Sequence, residues 1–238
     1  MTRVILSIFL CCFSMFLSLG QSYIDSGIRH FNANEYQEAI LDFDEAEKAK
    51  ALFTAQAVAK LHFYQGMTLY RLADLAYPSA NMLRIHRYFG KSLALDSAWF
   101  SKINEAEVAM LDALMGRAKD LYKQASREKE KTDKADRLEK CLSILKMAEE
   151  ILMTPEVEIK LAECHHEIGD LFFENVSEVI SLQKAGSHYA SAIKYYEVAR
   201  YNDPFSKAII EKLLILSKRM DDPARVKEYS DLIVLAGG

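Results

Sequence analysis

The residue types best suited to chemistry cluster at one place in the chain. Residues 163–167 read ECHHE, and Asp170 follows three positions later. In one class of zinc enzyme, two histidines four residues apart on a helix face hold the metal. Here His166 has Asp170 at that distance. Because two ligands do not complete a zinc site, a structural role is favoured, and a metal-binding protein or metal-dependent enzyme centred on 163–170 is the alternative.

No other stretch of the sequence has the spacing of a catalytic motif. The sequence contains no glycine-rich phosphate loop, no GxSxG nucleophile elbow and no cysteine–histidine pair of recognised spacing. The isolated His30, His62, His86 and His188 are expected on helix surfaces or in packing contacts. We therefore expect a protein that is not an enzyme, with no catalytic residues, no metal ligands and no cofactor.

The composition indicates the elements that must position these residues. Half of the 238 residues are hydrophobic and 27% are charged, while only 9 are glycine and 4 are proline, which is typical of a helical globular chain. No segment alternates as a strand would, so the fold class is all-α. Each proline separates two segments of helical periodicity, and Thr154 and Asp222 stand before Pro155 and Pro223 as helix caps.

The proline and glycine positions divide the chain into ten helices, arranged as five antiparallel pairs. The expected pairs are 22–33 with 36–50, 52–76 with 78–95, 98–128 with 133–153, 156–184 with 187–202, and 205–220 with 223–236. Gly186 is interpreted as a loop residue. The charge-rich stretch 127–140 is interpreted as an exposed helix end and turn.

The first twenty residues differ from the rest. Arg3 is their one charge, residues 4–19 are almost entirely apolar, and 18–20 (SLG) supply small side chains for signal peptidase. The run is short for a membrane span, so 1–20 is predicted to be a cleaved secretory signal, with an uncleaved anchor as the alternative. The exported domain is then 21–238, in a periplasmic or extracellular compartment.

The net charge argues against nucleic acid as a partner, and the cysteine positions bear on disulfide formation. The net charge is −4, and loss of Arg3 with the signal makes it −5, so no basic surface for nucleic acid is indicated. Cys11 and Cys12 lie within the apolar run. Cys141 and Cys164 remain, both at small-residue positions of helical stripes, where buried free thiols are favoured over a disulfide.

One pattern of an aromatic, an alanine, an aromatic and an alanine, spaced by three, four and three residues, occurs twice. Such a stripe lets another helix approach closely and cannot be buried by one helix alone. In the first copy a second stripe of Tyr23, Gly27 and Phe31 precedes it. The two copies are Tyr36, Ala39, Phe43 and Ala46, and Tyr189, Ala192, Tyr196 and Ala199.

This combination resembles the tetratricopeptide repeat (TPR), a helix pair with an aromatic, a close-packing glycine and a closing alanine. Gly66 with Ser92 and Gly169 with Ala199 are looser copies, longer than the first by 7 and 11 residues. Because these lengths are close to whole helical turns, the extra residues are expected to be helical.

The resemblance implies a solenoid of stacked pairs whose first helices line a concave groove that binds a protein or peptide. An apolar groove would take an amphipathic helix or an extended apolar peptide. A role in assembling an envelope or secretion complex is one expectation, and homo-oligomerisation through the end helices is a second interaction hypothesis. The groove residues that the family pattern picks are Ile24, Ile28, Phe31, Phe63, Met67, Tyr70, Arg71, His166, Asp170 and Phe173.

Overall fold

The computed structural model of the protein describes residues 20–74, 81–174 and 179–236, and every regular element within these ranges is helical. The prediction of an all-α chain is confirmed for this part. The ten α-helices found there are α1 (20–32), α2 (Tyr36–Lys48), α3 (Ala55–Leu72), α4 (Asn81–Leu93), α5 (Phe100–Arg127), α6 (Lys131–Ile151), α7 (Pro155–Phe173), α8 (Val179–Asn202), α9 (Lys207–Arg219) and α10 (Pro223–Ala236).

Consecutive helices pack in pairs, as predicted. In the α3–α4 pair Ser92 Oγ donates to the Ala59 carbonyl, and in the α5–α6 pair Arg137 donates to Gln124. Each contact joins the early part of one helix to the late part of its partner, so the paired helices run antiparallel. Three of the four prolines lie where helices begin or are interrupted, and Pro78 lies outside the described residues.

Side-chain caps fix where several helices begin. The Thr54 hydroxyl accepts the Ala57 N–H at 3.2 Å, and the Thr154 hydroxyl accepts the Val157 N–H at 3.3 Å. Pro155 and Pro223 occupy the first position of α7 and α10, where a missing N–H removes no helical hydrogen bond. These starts were set by local sequence, which is why they could be predicted.

The predicted connection between α7 and α8 is misplaced, because α7 ends at Phe173 and not at 184. Gly186 lies inside α8, which begins at Val179, and is not a loop residue. Ala185 is 1% exposed and continues the buried stripe of Tyr189. A glycine inside a helix costs about 1 kcal/mol, which is less than the free energy of burial that would be lost if the helix began after Gly186. The helix therefore extends through the glycine.

The charged stretch 127–140 contains the end of α5, a short turn and the start of α6, as predicted. Only 128–130 connect α5 to α6, and Lys131 already begins α6. Lys and Glu are good helix formers, and pairs such as Lys140 with Asp136 at 2.6 Å support the helix along its exposed side.

Three glycines each receive an aromatic ring from the second helix of their pair. A Cβ atom at any of the three would lie 2.5 to 2.6 Å from the facing ring, closer than real Cβ atoms come, so only glycine permits this packing. A small buried residue follows each ring three positions later, at Ala46, Ser92 and Ala192. The contacts are Gly27 with Phe43, Gly66 with Phe89, and Gly169 with Tyr189.

The third of these contacts corrects the predicted register of the α7–α8 pair. The sequence pattern aligned Tyr196 with Phe43, whereas the ring that meets Gly169 is Tyr189, seven residues earlier. Seven residues are close to two helical turns, so both tyrosines lie on one face of α8, and both are buried. Spacing along the chain therefore could not choose between them.

The extra length of this pair is helical, as expected. α7 begins at Pro155, well before Gly169, and α8 runs on to Asn202, well past Tyr189, so the additional turns lie at the end away from the connection. In the α3–α4 pair residues 73 and 74 are not helical and 75–80 lie outside the described residues. The expectation for that pair stays a prediction.

The chain divides into two compact units, unit 1 up to Met110 and unit 2 from Leu111 onward. In unit 1 the first helices of successive pairs are parallel neighbours: Asp25 of α1 approaches Lys60 of α3, and Phe31 packs edge-on against Tyr64. A core of five buried residues fills the space around α2. These are Ile24, Ala39, Phe43, Ala46 and Leu61.

Unit 2 repeats this arrangement. Lys119 of α5 pairs with Glu156 of α7 at 2.8 Å, and Asp170 of α7 pairs with Arg219 of α9, so these three helices are neighbours. α5 and α7 are parallel because each runs antiparallel to α6. The second helices form a parallel row of their own, since Tyr195 of α8 donates to Glu149 of α6. Within each unit the helix pairs therefore follow one another in file.

The predicted signal sequence falls almost entirely outside the described residues, which begin at Gly20. Gly20 itself is helical and buried, with its α-carbon against the Phe53 ring. Across the residues described, no helix combines the length and apolarity needed to cross a membrane.

Candidate partner-binding surface

Five of the predicted groove residues come together in unit 1, at a cavity of about 380 Å³ between α3 and α5. The cavity is open on one side and has aromatic walls with polar residues at its edge. Its predicted lining residues are Phe31, Phe63, Met67, Tyr70 and Arg71, and the remaining ones are Asn32, Tyr64, Lys102, Glu105 and Ala106.

Stacked rings hold the floor of this cavity. The Phe63 ring lies 4.2 Å from the Trp99 ring with an interplanar angle of 16°, and Tyr64 meets Phe31 and Phe63 edge-on at 5.3 and 5.2 Å. Phe63 is only 3% exposed, so it supports the cavity and offers little surface itself. Half-buried Met67 and Tyr70 provide the apolar surface that a ligand would touch.

Two predicted groove residues do not line the cavity. Ile24 is fully buried in the core of unit 1 beside Phe43, and its assignment to the groove is wrong. Ile28 is half-buried and packs against the same core. The physical reason is that α1 has both α2 and α3 as neighbours, so its apolar stripe is used in joining them.

The polar edge of the cavity was missed by sequence reasoning. Lys102 and Glu105 belong to the start of α5, in the pair that could not be aligned to the repeat pattern. Both side chains are exposed, and Arg71 at the end of α3 is exposed as well. The edge therefore carries both signs of charge around an aromatic floor.

The other predicted residues lie in unit 2, in a polar cluster on the side of α7 that faces α9. The Tyr189 hydroxyl donates to Asp170 at 2.9 Å, and Arg219 donates to both the Asp170 carboxylate and the Tyr189 oxygen. His166 lies 3.8 Å from Asp170 and is 8% exposed. Asp170 is thus neutralised within the protein, and His166 is too buried to offer much surface to a partner.

Burial also sets the charge of His166. Desolvation, followed by the positive charges of Lys212 and Arg219, lowers its pKa to about 4, so the ring is neutral at pH 7. Phe173 is exposed at the edge of the cluster, with its ring 6.2 Å from Tyr189. Of the three residues predicted in α7, Phe173 is the one that presents an apolar surface.

A second cavity, of about 480 Å³, continues along the same side of α7 and was not predicted. It lies among α7, α8 and α9, and its walls are mainly aliphatic, with Ile159, Ala199 and Ile209 prominent. Glu163 and Ile159 precede His166 by about one and two turns, so the helical period of α7 could have found them had the extra turns been included. Lys212 lies at its edge.

The histidines and cysteine of the ECHHE segment are used in packing. His165 and His188 approach each other at 2.9 Å between their Nδ1 atoms, and the His165 ring stacks on Tyr195. Cys164 and His165 face the core, as predicted. No group of three or more potential metal ligands is present in the described parts of the chain.

Comparisons with known proteins do not assign this chain to a family. No family model matches the chain. No curated protein matches it either. Among solved structures, the crystal structure of MamA protein is similar to this chain at 13% sequence identity with a TM-score of 0.29, over 92% of this chain and 91% of that chain. We draw no conclusion about fold or function from so low a score.

Proposed function

We propose that this chain is a non-enzymatic exported scaffold of the TPR type, which binds an amphipathic helix of a protein partner. In each unit the binding surface is the side of the first helices on which that unit's own cavity opens. The observation that carries the proposal is that each unit, taken by itself, has a cavity of several hundred Å³ beside its first helices, and that the repeat pattern picks five of the residues that line the unit 1 cavity.

The packing supports the TPR assignment. Three helix pairs share the contact between a glycine and an aromatic ring that the family pattern requires. Within both units the first helices are parallel neighbours, which is the arrangement that stacked repeats adopt. Because these contacts are made by buried side chains, the walls of the cavities are preorganised and little entropy opposes capture of a partner.

The chemistry of the unit 1 cavity favours an amphipathic helix as the occupant. Met67 and Tyr70 would receive apolar side chains, and methionine adapts to different shapes. Arg71, Lys102 and Glu105 at the edge would meet the charged residues that flank the apolar stripe of such a helix. Both signs of charge at the edge suit a helix with a mixed polar face.

Export is the part of the proposal that rests on the sequence alone. The apolar segment 4–19 and the small residues that follow it support cleavage after Gly20 and a role in an envelope or secretion assembly. N-terminal sequencing of the protein recovered from its native compartment tests this directly. A mature chain beginning at Gln21 agrees with it, and an intact Met1 in the cytoplasm contradicts it.

Site-directed photo-crosslinking tests the binding surface. The crosslinking residue p-benzoylphenylalanine is placed at Met67 in one protein and at Tyr201, which is 86% exposed in unit 2, in a control. We expect a defined adduct only from position 67, and mass spectrometry of the adduct should identify an amphipathic segment of the partner. An adduct formed equally at both positions would contradict a specific surface.

The identified segment is then synthesised as a fluorescent peptide and its Kd is measured by anisotropy. Tyr70→Ala and Met67→Glu should each weaken binding about tenfold, because they remove or charge the central apolar contact. Tyr201→Ala is the matched control and should leave the Kd unchanged. Equal Kd values for all four proteins would show that the cavity is not the binding surface.

Self-association competes with this proposal for the same exposed surfaces. Val234 and Leu235 near the end of α10 are 75% and 69% exposed. Light scattering of the wild-type protein and of Leu235→Glu separates the two: a monomer supports capture of a different protein. A dimer that the substitution dissociates would favour homo-oligomerisation instead.

A further inference from the structure

The two cysteines of the described chain meet each other. Of the four cysteines, Cys11 and Cys12 fall outside the described residues, and the other two are Cys141 on α6 and Cys164 on α7. They are 1% and 0% exposed. Although 22 residues separate them in the sequence, the antiparallel packing of α6 and α7 brings them to the same level.

Two contacts place the sulfur atoms. Cys164 Sγ donates to the Leu138 carbonyl at 3.2 Å, one helical turn before Cys141 and on the same side of α6. Cys141 Sγ donates to the Ala118 carbonyl of α5, also at 3.2 Å. Each thiol also shifts the pKa of the other, so the two are neighbours across the α6–α7 contact.

We propose that Cys141 and Cys164 form a disulfide that ties α6 to α7 in the exported protein. The inference rests on the proposed export, because a stable disulfide needs an oxidising compartment. It does not depend on the partner-binding surface. In the structure both cysteines are free, buried thiols, as predicted from the sequence, and the proposal concerns their oxidation after export.

The oxidant is a disulfide, either oxidised glutathione or the active-site disulfide of a thiol oxidase. The thiolate of one cysteine attacks one of its sulfurs, forms a mixed disulfide and expels the other sulfur as a thiolate. The second cysteine then loses its proton and attacks the sulfur of the first, which releases the second thiol. Two S–H bonds are replaced by one S–S bond, and the oxidant takes up both electrons and both protons. Because both sulfurs are buried, the exchange occurs while α6 and α7 are still assembling.

Refolding the purified full-length chain tests the proposal. The reduced protein is unfolded in urea, refolded in a buffer of reduced and oxidised glutathione, blocked with iodoacetamide and digested with trypsin. Cleavage after Lys140, Lys146, Lys160 and Lys184 places the two cysteines in separate peptides, 141–146 and 161–184. We expect these two peptides to be recovered mainly as one cross-linked species that dithiothreitol separates.

Stability measurements distinguish a native disulfide from an imposed one. Closing a loop of this length should lower the unfolding equilibrium constant on the order of a hundredfold, seen as a higher urea midpoint for the oxidised protein. In Cys164→Ser the glutathione buffer should leave the midpoint unchanged. Recovery of both cysteines as alkylated or glutathionylated peptides overturns the proposal, as does a cross-linked protein with a lower midpoint than the reduced one. Neither result bears on the crosslinking test of partner binding.

Discussion

The α3–α4 pair of unit 1 and the α7–α8 pair of unit 2 share one packing contact but differ in the polar contacts around it. In both, a glycine of the first helix receives an aromatic ring of the second, Phe89 on Gly66 and Tyr189 on Gly169. The Phe89 contact is purely apolar. The Tyr189 ring adds a hydroxyl, which donates to Asp170 and receives a hydrogen bond from Arg219 of the next pair.

The difference shows that the same steric contact can be combined with different hydrogen bonds in different pairs. In α3–α4 the polar link is supplied three residues after the ring, where Ser92 donates to the Ala59 carbonyl within the pair. In α7–α8 the corresponding residue is Ala192, and the link is made by the ring itself toward α9. The glycine and ring determine how the pair closes, and the polar atoms determine what it is joined to.

Acidification should give the largest difference between the two pairs, because it should destabilise the α7–α8 pair more than the α3–α4 pair. Burial lowers the pKa of His165 and His166 to about 4, below the ordinary value near 6.5 of an unfolded chain, so only the unfolded chain takes up these protons between those values. Stability that is present above pH 6.5 is therefore lost as the pH falls toward 4. We expect a loss of about 3 kcal/mol between pH 7 and pH 5, measured by urea unfolding.

A substitution assigns this loss to the histidines of α7. His166→Gln removes one of the two most strongly shifted rings and should reduce the pH-dependent loss by up to half, since burial also lowers the pKa of His62 and His188. A loss of unchanged size in this variant would show that other groups, such as paired carboxylates, dominate the acid sensitivity.

Adding a methyl group at the glycines should affect both pairs equally. A Cβ atom at Gly66 or Gly169 would lie 2.6 Å from a buried ring that has no room to move, and overpacking of this kind costs about 2 kcal/mol. Gly66→Ala and Gly169→Ala should each lower the thermal midpoint, as measured by circular dichroism.

Two further glycines supply matched controls in the second helices of the same pairs. A Cβ atom at Gly90 in α4 or Gly186 in α8 meets nothing within 4 Å. Gly90→Ala and Gly186→Ala should therefore stabilise the protein by about 0.5–1 kcal/mol, since alanine is the better helix former. Destabilisation by Gly186→Ala would indicate that this residue is not in a helix interior.

Removing single hydroxyls should give the smallest effects. Tyr189→Phe keeps the ring on Gly169 and removes two hydrogen bonds, while Ser92→Ala removes one, and each should cost about 1 kcal/mol in urea unfolding. Tyr189→Phe should in addition weaken the coupling between α7–α8 and Arg219. In a double-mutant cycle with Arg219→Ala, strict additivity would contradict that link.

The predicted groove shows how far the repeat pattern can be followed. It located five residues that line one cavity, because the helical period places them on one side of α1 and α3. It misplaced Ile24, which is fully buried, since the pattern gives the direction of a side chain and not the neighbour that covers it. It also stopped at His166 and missed the cavity around Ile159, because that part of α7 lies beyond the length of an ordinary repeat.

The sequence by itself determined the fold class, most of the helix boundaries and the glycines at which helices approach. Periodicity, caps and prolines act over a few residues, so they can be evaluated along the chain. The tertiary structure decided which of two tyrosines meets Gly169, which groove residues stay accessible, and that Cys141 lies against Cys164. These depend on the relative shift of two packed helices, and residues two turns apart on one face fit the same sequence pattern equally well.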